Sequence, residues 1–317
     1  MILSDSLRIL GRNHQILWRL TIYILVCVLV VGGLSLAICS PLISELSRHG
    51  FFSSMEDLFV NLTLNFDMGN VFDRVYTFLV DFGELVKANL ATMLPFLIVF
   101  ITVFSLGTKF TVGLAELPVV DYVYNSMASN TRLSFGVCFI KNLKKSVKLQ
   151  LCKLCVVFPI DLLILCASIG GLLAFQFNIV WLNALLPVLW LVGLMLLLSF
   201  KQTLFGLWTP VVAIFEEGCW RSLARSFGAL KGNFCAVFGR ILLISFISVV
   251  INYLLVILTM SVGLIVAIPV EFCVFVVFGL VMTFYLNGLR FYVTEKEIIS
   301  PKKKENWERV SSLKDII

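Results

Sequence analysis

The side chains of this sequence with the greatest potential for chemistry are polar groups placed inside long apolar runs. Asp161 lies eight residues beyond Lys153, Glu271 begins a later run, and Asn252 and Asn287 fall within the last two runs. Ionisable groups at membrane depth are costly and are usually functional. Asp161 therefore has two interpretations, a helix–helix hydrogen bond or interface position, and a site for a solute or a proton. The two asparagines are typical of hydrogen bonds to a neighbouring helix.

No pattern of catalytic, cofactor-binding or metal-binding residues stands beside these groups. The sequence contains two histidines, and Cys152 and Cys155 form a CxxC motif without a second cysteine pair or a nearby histidine. A structural zinc site takes four ligands, and free cysteine otherwise behaves as a small buried hydrophobe. We expect no enzyme activity, no cofactor and no metal site.

The composition predicts a protein embedded in a membrane. Hydrophobic residues make up 60% of the 317 residues, charged residues only 14%, and the mean hydropathy is +1.00. A soluble domain has about 45–50% apolar and about 25% charged residues. These values exclude a soluble enzyme, a disordered chain and a disulfide scaffold, and they predict an all-α integral membrane fold.

Six apolar stretches are long enough to cross a bilayer, since a spanning helix needs roughly 20 apolar residues. They predict a six-helix membrane domain over 1–298, built as three helical hairpins, with an external insert at 43–90 and a basic cytoplasmic tail at 299–317. The predicted spans are 18–40, 91–114, 154–178, 181–200, 238–265 and 268–290.

The distribution of lysine and arginine predicts the orientation. Seven of the 25 lie at 109–153, five at 201–240 and seven from residue 290 onward, whereas the hairpin tips near 179 and 266 hold none. Because cytoplasmic loops carry the excess of positive charge, we expect a multi-pass protein of the cytoplasmic membrane with both termini in the cytoplasm.

An offset of 92 residues reveals an internal repeat. Twelve of the 43 positions in 94–136 are identical to their counterparts, and a weaker third copy begins near Ser6. The copies share one orientation, so the predicted pseudo-symmetry axis runs along the membrane normal, as in parallel repeats. The paired residues include Pro95 and Pro187, Lys109 and Lys201, Pro118 and Pro210, and Ser134 and Ser226.

Local signals within the repeat predict helix ends and lipid contacts. Lys109 and Lys201 are expected to reach the cytoplasmic interface by snorkelling. Pro118 and Pro210 are expected to end the helices that carry these lysines, and Ser134 and Ser226 are expected to begin the next ones.

A basic amphipathic helix is predicted at 134–150. Its lysines recur at helical spacing on one face, which is typical of a helix lying on the membrane surface and bound to anionic lipids of the cytoplasmic leaflet. A partner protein with an acidic groove is the alternative occupant of this face. The lysines are Lys141, Lys144, Lys145 and Lys148.

Two segments resemble known families. The segment from Leu117 to Ser146, with its Pro-Val-Val and Ser-Phe motifs, resembles the YesL-type membrane proteins of Gram-positive bacteria. The segment from Pro210 to Phe234 is similar to YciC-like proteins and to the membrane domain of some glycerophosphodiester phosphodiesterases. The resemblance implies a six-span helical fold without an established activity, and no phosphodiesterase domain is present.

The sequence predicts one function and leaves one alternative. The first is a non-enzymatic accessory or scaffold for another membrane system, with a membrane-protein partner and no role for nucleic acid. The second is a transporter of a small solute or lipid, with its pathway on the pseudo-symmetry axis. The centre of the bundle distinguishes them, because a dry Leu/Phe core favours the scaffold and a polar cavity holding Asp161, Asn252 and Asn287 favours transport.

Overall fold

A computed structural model of the chain is almost entirely helical. It describes residues 2–48, 50–64, 73–74, 76–78, 80–81, 83–84, 90–130, 133–174, 180–259, 262–294 and 296–300. The predicted tail therefore lies outside the described residues from 301 onward, and so does part of the insert.

The described residues include twelve helices and one two-stranded hairpin, and those described between 73 and 84 are helical as well. The helices are α1 (Ile2–Arg12), α2 (Gln15–Ile38), α3 (Ser40–Arg48), α4 (Phe51–Leu64), α5 (Leu90–Gly113), α6 (Glu116–Ala128), α7 (Phe135–Ala174), α8 (Val180–Phe205), α9 (Trp208–Phe215), α10 (Cys219–Leu230), α11 (Phe234–Thr259) and α12 (Leu264–Leu286). The strands β1 (Phe291–Tyr292) and β2 (Ile298–Ile299) pair in antiparallel fashion.

The six-span architecture is confirmed. Within the described part of the chain, six helical stretches are long and apolar enough to cross a membrane, with mean hydropathies from 1.5 to 2.7. They centre on α2, α5, α7, α8, α11 and α12. Spans that are consecutive along the chain pack against each other, and α12 packs against α2, so the spans close into a ring.

The buried core lies at one end of this ring, which we call the packed end. The second half of α12 is surrounded there by α1, α6 and α9. Residues buried in this cluster include Leu20, Val119, Val281 and Phe284. Tyr285 Oη donates a hydrogen bond to Asp5 Oδ2 at 2.9 Å, which fixes α1 to the end of α12. The amino-terminal helix and the last span therefore meet at the same end of the bundle.

Both prolines that were expected to end helices begin the next ones instead. The prediction for Pro118 and Pro210 is wrong, because α5 ends at Gly113 and α8 at Phe205, and each proline occupies the third position of α6 or α9. Proline is tolerated in the first turn of a helix, where its missing N–H has no intrahelical partner. Pro95 lies inside α5, and the side chain of Pro187 lies outside the described residues.

The basic segment is not a separate helix. Residues 135–174 form one continuous helix of 40 residues, about 60 Å long at 1.5 Å per residue, so the expected break before residue 154 is absent. Ser134 directly precedes this helix, as predicted, and its carbonyl accepts the hydrogen bond of the Cys138 N–H. Ser226 lies inside α10, so the prediction that it begins a helix is wrong.

The described part of the insert at 43–90 packs on the end of the bundle opposite the packed end. Cys39 and Leu46 form a small buried cluster, and Phe51 of α4 and Phe96 and Phe100 of α5 pack against it. This part of the insert covers the ends of the neighbouring spans on that side.

Gly279 of α12 allows the closest approach between α12 and the turn that precedes α9. A Cβ atom at position 279 would lie 2.8 Å from the carbonyl oxygen of Gly206 and 3.5 Å from Pro210 Cγ. We expect Gly279→Ala to lower the free energy of unfolding by about 1–3 kcal/mol, the typical cost of overpacking. Thermal unfolding of the purified protein in detergent measures this change.

Gly239→Ala in α11 is the matched control, since a Cβ at position 239 meets no atom within 4 Å. Alanine favours a helix interior over glycine, so this variant should unfold at or above the temperature of the unsubstituted protein. Equal unfolding temperatures for the two variants would contradict the close contact at Gly279.

Candidate functional site

A polar cavity lies between α5, α7 and α8. Its volume is about 390 Å³, which is within the range of about 300–1,000 Å³ that is typical of ligand sites. Three lysines, two carboxylates and two glutamines line it, and Phe272 of α12 contributes to its wall. The polar lining residues are Lys109, Glu116, Gln150, Lys153, Asp161, Lys201 and Gln202.

Asp161 is shared by two lysines from different helices. Lys109 of α5 bonds Asp161 Oδ2, and Lys201 of α8 bonds Asp161 Oδ1 at 2.5 Å. The Asp161 side chain is only 17% exposed. Lys109 Nζ also lies 5.4 Å from the centre of the Phe158 ring, a cation–π contact. We call Lys109, Asp161 and Lys201 the ion triad.

The two lysines reach the triad from equivalent positions. Each lies four residues before the end of its helix, α5 for Lys109 and α8 for Lys201, and they are the pair that the offset of 92 relates. They were expected to lie at the membrane interface, and in the structure their amines bind Asp161. An acidic residue and two basic residues in neighbouring spans are a signal for such pairing, because unpaired charges in a bilayer are costly.

The triad lies within the spanning part of α7. Thirteen residues separate Asp161 from the end of α7 at Ala174, about 20 Å along the helix. Lys109 and Lys201 lie only four residues from the ends of α5 and α8, about 6 Å along each helix. The triad therefore lies about one turn from these helix ends, and the charge of Asp161 is compensated by the two neighbouring helices.

A second charged pair closes the cavity toward the packed end. Lys153 Nζ donates to both carboxylate oxygens of Glu116 at 2.6 Å and to Thr209 Oγ1 at 2.7 Å. Gln150 Nε2 donates to Gly113 O at 2.7 Å and to Glu116 Oε2 at 3.1 Å. These bonds join α7 to the α5–α6 turn and to the start of α9, so the pair has a structural role.

The other polar residues of the spans lie elsewhere. Asn252 Nδ2 donates to Glu271 Oε1 at 2.7 Å, which joins α11 to α12. Asn287 follows the last residue of α12 and donates to Thr283 O at 2.8 Å. The structure thus brings Asp161 into the cavity without Asn252, Asn287 or Glu271, and it adds Lys109, Lys201, Lys153 and Glu116.

Two of the four lysines on the basic face of α7 contact the protein itself. Lys141 Nζ lies 3.5 Å from Asp121 Oδ2, and Lys145 Nζ lies 3.8 Å from Glu216 Oε1. Lys144 and Lys148 are exposed.

Among the described residues, no group of three or more His, Cys, Asp or Glu side chains could hold a metal ion.

Comparison with known proteins identifies no relative, since no family model, curated protein or solved structure matches the chain.

The Lys153–Glu116 pair should be essential for stability. Both side chains are largely buried, at 14% and 18% exposure, and removal of one partner of a buried pair typically costs about 3–5 kcal/mol. We expect Lys153→Met to lower the free energy of unfolding by this amount and the double variant Lys153→Met/Glu116→Gln to recover part of it. Chemical or thermal unfolding in detergent measures both.

Lys145→Met is the control for this prediction. Lys145 and its partner Glu216 are 55% and 74% exposed, and exposed ion pairs contribute about 0–1 kcal/mol. If the two single variants lose the same stability, the buried pair has no special role.

Proposed function

We propose that this protein is a transporter of the cytoplasmic membrane, which binds a small solute or a lipid in the cavity and moves it across the bilayer. The observation that carries the proposal is the ion triad, a carboxylate and two ammonium groups inside the ring of spans. Ionisable groups within membrane-spanning helices are costly and usually functional, and here three of them meet beside a cavity. The proposal involves no covalent chemistry.

The cavity has the composition of a binding site. Ligand sites combine a mostly apolar wall with a few convergent polar groups. Here the wall includes Val157, Phe158, Phe205 and Phe272, and the polar groups converge at Asp161. Asn252 and Asn287 lie outside the cavity, so the proposal rests on the triad alone.

The triad also supplies a means of coupling a ligand to helix movement. Asp161 belongs to α7, and its two partners belong to α5 and α8. A ligand that competes for either lysine changes the forces between these helices. A ligand shifts a conformational equilibrium only through such differential contacts.

The internal repeat belongs to the same proposal. Lys109 and Lys201 occupy equivalent positions under the offset of 92 and meet at one carboxylate, which supports a duplication with its axis along the membrane normal. Transporters built from repeats bind their substrates at the interface between the repeats. Membership in the YesL-like and YciC-like proteins is proposed as well, and it assigns no activity.

We further propose that the packed end faces the cytoplasm, together with both termini. The excess of lysine and arginine on the segments of that end supports this orientation. Lys144 and Lys148 then lie where anionic lipids of the cytoplasmic leaflet attract basic side chains.

Transport predicts that the cavity is accessible from both faces of the membrane. In Leu154→Cys the new thiol lines the cavity, and we expect a charged, membrane-impermeant thiosulfonate to modify it when added to either face of sealed vesicles, because the reactive thiolate needs a hydrated environment. The variant is made in a background with Cys152→Ser and Cys155→Ser, because these free cysteines flank residue 154. Fragment-ion mass spectrometry then assigns the modification to residue 154.

Leu163→Cys is the control, on the same helix and 70% exposed on the surface that faces lipid. It should remain unmodified from both faces. Modification of residue 154 from one face only, under all conditions, would contradict transport and leave a binding protein with a one-sided cavity.

The orientation is tested with reporters at two described positions. A reporter inserted at Ser129, after α6, should remain in the cytoplasm, and one inserted at Ser54, in α4, should be external. Compartment-specific activity of the reporter, with phosphatase active outside and a fluorescent protein active inside, measures each location. The reverse pattern would invert the proposed topology.

A further inference from the structure

We infer that the ligand of the cavity carries an oxyanion group with two terminal oxygens and one negative charge, a phosphate or a carboxylate, and that this group binds between Lys109 and Lys201 beside Asp161. The inference rests on the proposed function, because it names the substrate class of the same cavity. It applies equally to a lipid headgroup and to a free anion, which share this chemistry.

The charges that line the cavity do not balance. Its lining contains three lysines and two carboxylates. Lys153 and Glu116 neutralise each other, since the amine contacts both carboxylate oxygens at 2.6 Å. The remaining positive charge therefore belongs to the triad, in which two ammonium groups share the single carboxylate of Asp161.

An unbalanced charge among apolar helices is unfavourable, and a bound anion removes the imbalance. The penalty for a fully buried ion amounts to several kcal/mol unless it is paired, and the triad bears part of it, since the Lys109 and Lys201 side chains are 39% and 21% exposed. One additional negative charge makes the triad neutral. A cation would increase the imbalance and an uncharged sugar would leave it unchanged, so the charge count selects an anion.

The arrangement of the lysines selects an anion with two terminal oxygens. Lys109 and Lys201 bond different oxygens of the same carboxylate, so the two amines lie at a separation that one carboxylate bridges. Each ammonium has three donors, and each uses one of them on Asp161. The donors that remain can hold a second group of similar size.

The apolar wall beside the triad favours an anion attached to an apolar body. Phe158, Phe205 and Phe272 line the cavity together with the triad. Such a wall suits the glycerol and upper acyl region of a phospholipid, and it also suits a free organic anion. The two sources differ in whether the anion reaches the cavity from the bilayer or from water.

The test measures binding to the purified full-length chain with soluble and lipid probes. Calorimetric titration with inorganic phosphate and with acetate represents the soluble source. Chloride is the control, because it carries one negative charge on a single atom and lacks the two terminal oxygens. Reconstitution with phosphatidylglycerol represents the lipid source, with phosphatidylcholine as the control without net charge. Each titration is repeated with Lys109→Gln, Lys201→Gln and Asp161→Asn.

We expect at least one oxyanion probe to bind, and each lysine variant to bind it at least about tenfold more weakly. Hydrogen bonds to charged groups contribute about 1.5–3 kcal/mol, and 1.4 kcal/mol is a factor of ten in affinity.

Asp161→Asn should bind at least about fivefold more tightly, because the competing negative charge is removed. A gain in affinity also excludes loss of folding as the cause of the change. Lys231→Gln, which removes an exposed lysine outside the cavity, should bind as the unsubstituted chain does.

Binding of phosphate or acetate supports the inference and assigns a soluble ligand, whereas binding of phosphatidylglycerol alone supports it and assigns a lipid. Equal binding of chloride, binding that survives in both lysine variants, or no binding of any oxyanion overturns it. Access to residue 154 is measured without a ligand, so two-sided access combined with no oxyanion binding overturns the ligand class and leaves the transport proposal standing.

Discussion

The Asp161 carboxylate inside an apolar bundle is the constraint on which the architecture around the cavity depends. A charged group removed from water must be paired, since its desolvation costs several kcal/mol. Two lysines provide the pairing, one from α5 and one from α8. One carboxylate thus links three helices, and the polar groups that it gathers form the lining of the cavity.

The rest of the bundle is held by packing against α12. The second half of this helix is buried among α1, α6 and α9, whereas many side chains of the other spans remain exposed on the outer surface. Lipid supplies no hydrophobic driving force between helices, so close van der Waals contact matters most. The approach of Gly279 to the carbonyl of Gly206 is a contact of this kind. The cavity therefore lies beside the span with the largest buried share among the described residues.

The two charged clusters of the cavity differ in character, and this difference supports the proposed mechanism. Lys153 and Glu116 carry opposite charges of equal size and neutralise each other, which suits a fixed link between α7 and the starts of α6 and α9. The triad is unequal in charge and retains unused donors. A site that must bind and release a ligand needs this second arrangement, because a saturated pair gains nothing from an additional group.

The sequence by itself determined the six spans, because the length of an apolar run is a local property that sets whether a helix can cross a bilayer. It also identified Asp161, Lys109 and Lys201 as separate residues of interest.

The sequence could not decide the role of Pro118 and Pro210, since a proline is compatible both with the end of one helix and with the first turn of the next. Periodicity likewise could not show that residues 135–174 form one helix. Only the tertiary structure decided that Lys109 and Lys201 meet at one carboxylate and that Asn252 and Asn287 lie elsewhere. The hydrogen bonds of Asp161 and Asn252 join residues that are 19 to 52 positions apart in the chain, and which residues face the cavity depends on helix rotation. Rotation and helix pairing are set by packing around α12, and no local pattern in the chain encodes them.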